Sequence, residues 1–206
     1  MSIAFLVRCV VGIAGGLFIA PIVLFCLWPR VLRSWFEGGP EGIEAVTSPT
    51  ARDVIAALKE LGFEALGVKV EKTPLRPPAR ELAFVASDRR CYASVGHRPP
   101  RAPLYYYTPL PAGGLVLTSN GTFPRIASAT VAQRSYPRCG ARELLEHHHE
   151  GLVSLGQRGE VVPTAAARLE ATGAYYKTPE VRAVLRRVGT VWLALVVLLE
   201  WLVIHR

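Results

Sequence analysis

From Cys9 to Trp28 the chain runs 20 residues without a charge, CVVGIAGGLFIAPIVLFCLW. As a helix rising about 1.5 Å per residue this run extends roughly 30 Å, the thickness of a bilayer's hydrocarbon core, so it is expected to span a membrane. A second stretch, Val188 to Ile204, holds 17 residues interrupted only by Glu200 and reads as a shorter span at the other end. A secretory signal peptide ending near Ala20 is the competing reading of the first stretch. It fits less well because Arg8 follows the apolar SIAFLV instead of preceding the apolar run.

Charge gives the expected orientation. The chain carries 24 Lys and Arg against 16 Asp and Glu, yet residues 35–176 are nearly balanced at 16 basic and 14 acidic. The surplus flanks the two apolar stretches, as Arg30 and Arg33 after the first and Lys177, Arg182, Arg186 and Arg187 before the second. Cytoplasmic flanks collect Lys and Arg, so the expectation is an integral membrane protein of the cell's inner or plasma membrane, its middle domain cytosolic and both termini on the opposite side. Gly12, Gly16 and Ala20 recur every four residues and make a small-residue stripe for helix packing. Glu200, a lone carboxylate within the second stretch, either snorkels outward beside His205 or contacts a protein partner.

The organisation that follows is a transmembrane helix over 1–34, a Gly-rich and acidic linker over 35–49, an α+β domain over 50–176, and a juxtamembrane and transmembrane helix over 177–206. Within the domain, Ser48-Pro49 opens an amphipathic helix bearing Val54, Ile55, Leu58 and Leu61, with Gly62 at its end. Ala65 to Val70 reads as a strand. ELAFVAS and CYASVG flank an Asp88-Arg89-Arg90 turn, and APLYYYTPL and LVLTS flank a turn at Pro111 to Gly114. Asn120-Gly121 signals a further turn into TFPRIASATVAQR; Asn120-Gly121-Thr122 also matches the glycosylation pattern, but in a cytosolic hairpin the turn reading is preferred. The fold class expected is therefore a small antiparallel meander of four to six strands packed by two or three helices and flanked by the two membrane helices. The helices lie at Gly140 to Gly156, with Leu144, Leu145, His148, Leu152 and Leu155 inward; at Ala165 to Ala171; and from Thr178 onward for about 27 residues.

Chemistry is harder to find. Glu146-His147-His148-His149-Glu150 places consecutive histidines about 100° apart on a helix, so the three cannot converge on one ion. Glu146 and His149 share a face three residues apart, a pairing that di-metal bundles use twice over, and no second pair is visible. The reading preferred is one histidine inward and the others solvated, with no metal and no cofactor expected. The four cysteines, at 9, 26, 91 and 139, form no C-x-x-C pair. There is no G-x-S-x-G elbow and no phosphate-binding loop. Tyr105 and Tyr107 share one side of a strand, but a domain so close to neutral does not suit nucleic acid.

The function expected from these features is a non-enzymatic binding or accessory subunit of a membrane assembly, its partners the lipid bilayer and a membrane protein or a second copy. Two alternatives stand beside it: a membrane-bound metal-dependent enzyme using Glu146 to Glu150, and a self-associating scaffold joined through the Gly12 stripe.

Overall fold

The computed structural model describes residues 15–16, 19–28, 33–46, 48–73, 77–96, 102–111 and 113–205. Residues 19–27 are helical (α1). The elements that follow are β1 (Arg33–Phe36), α2 (Gly42–Val46), α3 (Pro49–Glu60), β2 (Phe63–Lys72), β3 (Ala79–Ala86), β4 (Tyr92–Gly96), β5 (Leu104–Pro109), β6 (Leu115–Ser119), β7 (Ile126–Ala127), β8 (Val131–Ser135), α4 (Ala141–Ser154), α5 (Ala165–Lys177) and α6 (Pro179–His205). Contacts divide the chain into two compact units. One comprises Ser34–Glu71 and Pro78–Val181; the other is drawn from Met1–Arg33, Lys72–Pro77 and Arg182–Arg206.

The first unit is an α+β domain on an eight-stranded sheet, in the order β1-β2-β3-β4-β5-β6-β8-β7. Local signals account for its first half. The Ser48 hydroxyl oxygen accepts the Ala51 N–H at 3.3 Å and Pro49 occupies the first turn, so α3 starts where the sequence places it. Arg89, at φ 56°, turns β3 into β4, and strands β2 to β6 follow one another as an antiparallel meander. The meander then ends. Asn120 does not open another hairpin: its side-chain oxygen accepts the Leu104 N–H at 2.7 Å, and the chain loops back so that β8 runs parallel to β6. The sheet is thus larger than expected and contains one parallel pairing, because a turn dipeptide fixes a local bend and not the strand that follows it.

Both faces of the sheet are covered. On one, Ile55 and Leu58 of α3 and Leu144 of α4 pack with Leu82, Phe84, Ala93, Val95, Leu104 and Tyr106 in a single core. On the other, α5 lies over Tyr92, Ser94, Tyr105 and Tyr107. Strands buried on both sides lose the apolar/polar alternation of a half-solvated sheet, and every residue of β6 is buried. Helix α5 also continues past Gly173, where the sequence suggests an end, to Lys177.

In the other unit, α1 and α6 approach closely at Gly189, where an added Cβ would come 2.8 Å from the Cys26 Cβ. Helix α6 begins behind Thr178 and has the expected 27 residues. Among the described residues, however, no helix is long and apolar enough to cross a membrane. In α6 only 12 uncharged residues separate Arg187 from Glu200, about 18 Å of helix against a hydrocarbon core of roughly 30 Å. Of the first apolar run, residues 15–16 and 19–27 are helical, while residues 1–14 and 17–18 lie outside the described residues. The expectation of flanking transmembrane helices is corrected accordingly. With it fall the integral-membrane placement, the two-sided topology, and the readings as a subunit, enzyme or scaffold of a membrane.

Candidate functional site

The α5 face of the sheet is unusually polar for a buried surface, and strand register explains how the residues meet. Lys69 pairs with Glu81 across β2 and β3, Ser94 with Tyr105 across β4 and β5, and Tyr92, Tyr107, Leu117 and Gln133 form one row across β4, β5, β6 and β8. Alternation turns all of these to the same side. Helix α5, capped by the Thr164 hydroxyl on the Ala167 N–H, then brings Arg168, Thr172 and Tyr175 over them. Of these, Lys69, Glu81, Tyr105, Tyr107, Leu117, Arg168, Thr172 and Tyr175, together with Glu71, Phe123 and Tyr176, line a cleft partly open to solvent.

Two charge centres occupy the cleft. The Lys69 ammonium, its side chain 1% exposed, lies 2.8 Å from both Glu71 Oε1 and Glu81 Oε2. The Arg168 guanidinium is equally buried but forms no ion pair among the described residues. It donates to the hydroxyls of Thr172 at 2.8 Å, Ser94 at 3.1 Å and Tyr105 at 3.1 Å, while its Nε has no partner. Its charge rests instead against the rings of Tyr92, Tyr107 and Tyr105, 5.4 to 6.0 Å from their centroids. The Tyr105 hydroxyl joins the two centres, accepting from Arg168 and donating to Glu81 at 2.5 Å. One centre therefore holds two carboxylates on one cation, and the other a cation on neutral hydroxyls.

The cleft favours the charged forms of Lys69 and Glu81 and the neutral forms of its tyrosines. Desolvation and the Arg168 charge would lower the Lys69 ammonium, but Glu81, Tyr105 and Glu71 carry it above the usual lysine value. Desolvation would raise Glu81, but the Lys69 charge and hydrogen bonds from Lys69 and Tyr105 hold it below the usual carboxylate range. Burial raises Tyr105, Tyr107, Tyr175 and Tyr176, in Tyr105 helped by Glu81. The lysine is thus locked as ammonium, Glu81 as carboxylate, and the tyrosines as phenols. A lysine held as ammonium is no nucleophile.

The residues singled out from sequence lie elsewhere. Arg33 is exposed at the start of β1, Lys177 exposed at the end of α5, and Arg182, Arg186 and Arg187 follow along α6, the last two exposed. Gly16 and Ala20 are helical, whereas Gly12 and Arg30 lie outside the described residues. Glu200 falls within α6. On α4, Glu146 is exposed and His149 half-buried, and no third ligand converges on the pair among the described residues. His148 is the inward histidine, fully buried, its Nε2 2.9 Å from the Thr108 hydroxyl and its Nδ1 3.2 Å from that of Thr118. Tyr105 and Tyr107 do share a side, turned inward to α5.

Sequence reasoning missed Arg168, Lys69 and Glu81. In the strand GVKVEK the alternation of Val68 and Val70 with Lys69 and Glu71 has the form of a solvated outer face. The available signal was the far side of the sheet: three consecutive tyrosines followed later by a long helix, too many large residues for a surface left bare. Comparison with protein-family models, with curated proteins and with solved structures found no match.

Proposed function

We propose that the domain is a binding module for a small zwitterion with a planar apolar body, the class of the aromatic α-amino acids, seated in the cleft beneath α5. The observation that carries this reading is the separation of charge within one cleft: Arg168 lacks a carboxylate, while Glu71 and Glu81 share one ammonium. A buried cation without an anion is costly unless a ligand supplies one, so the ligand's carboxylate faces Arg168 and its ammonium faces the glutamates, which are 17% and 20% exposed. Phe123, Tyr175 and Tyr176 supply apolar walls.

Calorimetry with L-phenylalanine, 3-phenylpropionate and 2-phenylethylamine tests it. L-phenylalanine is expected to bind with one site, the two half-molecules at least tenfold more weakly, and Arg168→Gln is expected to abolish binding while Arg142→Gln on the other face leaves it intact. Equal binding of 3-phenylpropionate and L-phenylalanine would remove the role of the glutamates; no heat with any of the three ends the proposal.

A further inference from the structure

On the opposite face of the sheet, where α4 begins, three side chains of different metal-ligand type converge. Cys139 precedes the helix, Glu143 lies in its first turn and His147 one turn later, a spacing of four that stacks the last two on one helix face. One ligand atom from each of Cys139, Glu143 and His147 lies within 4.8 Å of the other two. Cys139 and His147 are half-buried and Glu143 exposed, so the group is neither sealed in the core nor dispersed in solvent.

The geometry of His147 is set from outside this trio. Its Nδ1 lies 2.9 Å from Glu150 Oε2, and its ring stacks on Tyr136 at 4.1 Å between centroids and 7° between planes. A carboxylate on one imidazole nitrogen is how metal-binding histidines are oriented, and here it leaves Nε2 as the nitrogen available for a metal. Around a tetrahedral zinc with bonds of about 2.0 to 2.3 Å, ligand atoms are separated by roughly 3.3 to 3.8 Å, so closing the present trio takes at most about 1 to 1.5 Å.

We infer that Cys139, Glu143 and His147 form a zinc site with three protein ligands and a fourth position open to water. A thiolate with an imidazole selects zinc over magnesium or calcium, and three protein ligands plus an exchangeable position is the open form of zinc coordination. This is a different set from Glu146 and His149, and it does not depend on the cleft beneath α5. The sequence conceals it because Cys139 lies outside the helix and its partners are reached only once Gly140 has started α4.

Untagged, full-length protein stripped of metal and titrated with cobalt(II), then zinc, tests the inference. One equivalent of cobalt is expected to give thiolate-to-cobalt charge-transfer absorption that one equivalent of zinc removes. Cys139→Ser is expected to lose this band, and Glu150→Gln to weaken zinc binding about 10-fold to 100-fold. Glu143→Gln, at an exposed position that leaves the fold intact, is expected to weaken it at least tenfold, while His149→Ala changes nothing. Absence of the band at saturating cobalt, its persistence in Cys139→Ser, or unchanged zinc affinity in Glu143→Gln would each overturn the assignment.

Discussion

His148 shows how much a single residue's role depends on its partners. The Thr108 hydroxyl donates to the Arg90 carbonyl, so it accepts from His148 Nε2–H, and a neutral ring then takes the Thr118 hydroxyl on Nδ1. Burial, with a smaller push from His149, holds the ring down at about 3 from an ordinary value of 6.5. A depressed histidine contributes stability that is fully present above about pH 6.5 and is lost as pH falls toward 3, at up to about 1.4 kcal/mol per pH unit. In chelator-treated protein, the stability difference between wild type and His148→Gln is therefore expected to shrink steadily from pH 6.5 to 3.5, measured by urea unfolding. A constant difference would mean that the ring is protonated in the folded protein. The inward turn of His148 was legible from helical spacing alone, whereas His147 and His149, expected to be solvated, are half-buried. Which threonines would hold the inward one was not legible, since Thr108 and Thr118 come from strands 40 and 30 residues away.

Among elements, the β6–β8 pairing departs most from what local sequence suggests. It begins where Gly114 passes the Thr130 carbonyl so closely that an added Cβ would overlap that oxygen, beside the hydrogen bond from Leu115 N–H to Thr130 O at 3.0 Å. Gly114→Ala is thus expected to force the two strands apart and to cost about 1–3 kcal/mol, the usual range for overpacking. Gly140→Ala, where nothing lies within 4 Å of the added carbon, is expected to stay near zero, and thermal unfolding of the two variants makes the comparison. At α3 the balance is reversed: Ser48, Pro49 and the apolar spacing locate the helix from sequence, and Ser48→Ala is expected to cost about 1 kcal/mol. Caps and hairpin turns act over three or four residues, so a single sequence carries them. A parallel pairing joins segments across a loop, and no local dipeptide encodes it.

For the molecule as a whole, two-sided coverage of the sheet decides where charge is allowed. Lys69 and Glu81 lie on the face that α5 covers, with the lysine buried, so removing one partner leaves the other without its ion pair. Lys69→Met is expected to destabilise the domain by about 3–5 kcal/mol, while Lys69→Met with Glu81→Leu recovers most of the loss, since a buried ion pair is worth little net against apolar replacement. Denaturant midpoints give both numbers, and a double variant no better than the single one would place the cost in packing and not in the stranded carboxylate. Two-sided coverage also bears on composition. Half of the residues are hydrophobic and mean hydropathy is +0.27, which directs a sequence reading toward a bilayer. Part of that apolar content fills the doubly covered strands β3 to β6.

The amino-acid order alone determined the α+β class, the cap of α3, the β3–β4 and β5–β6 hairpins, the inward turn of His148 and the start of α6 behind Thr178, because each is set by contacts within one or two turns of chain. The tertiary structure alone decided the return of β8 beside β6 and the cleft in which Arg168 meets Tyr105 and Glu81, and among the described residues it holds no helix both long and apolar enough to cross a bilayer. Those depend on which distant segments come to share a face, and on where a charge such as Glu200 interrupts a helix of known length. Hydrophobic content reports only how much surface must be buried, and it is the packing of one element on another that determines against what.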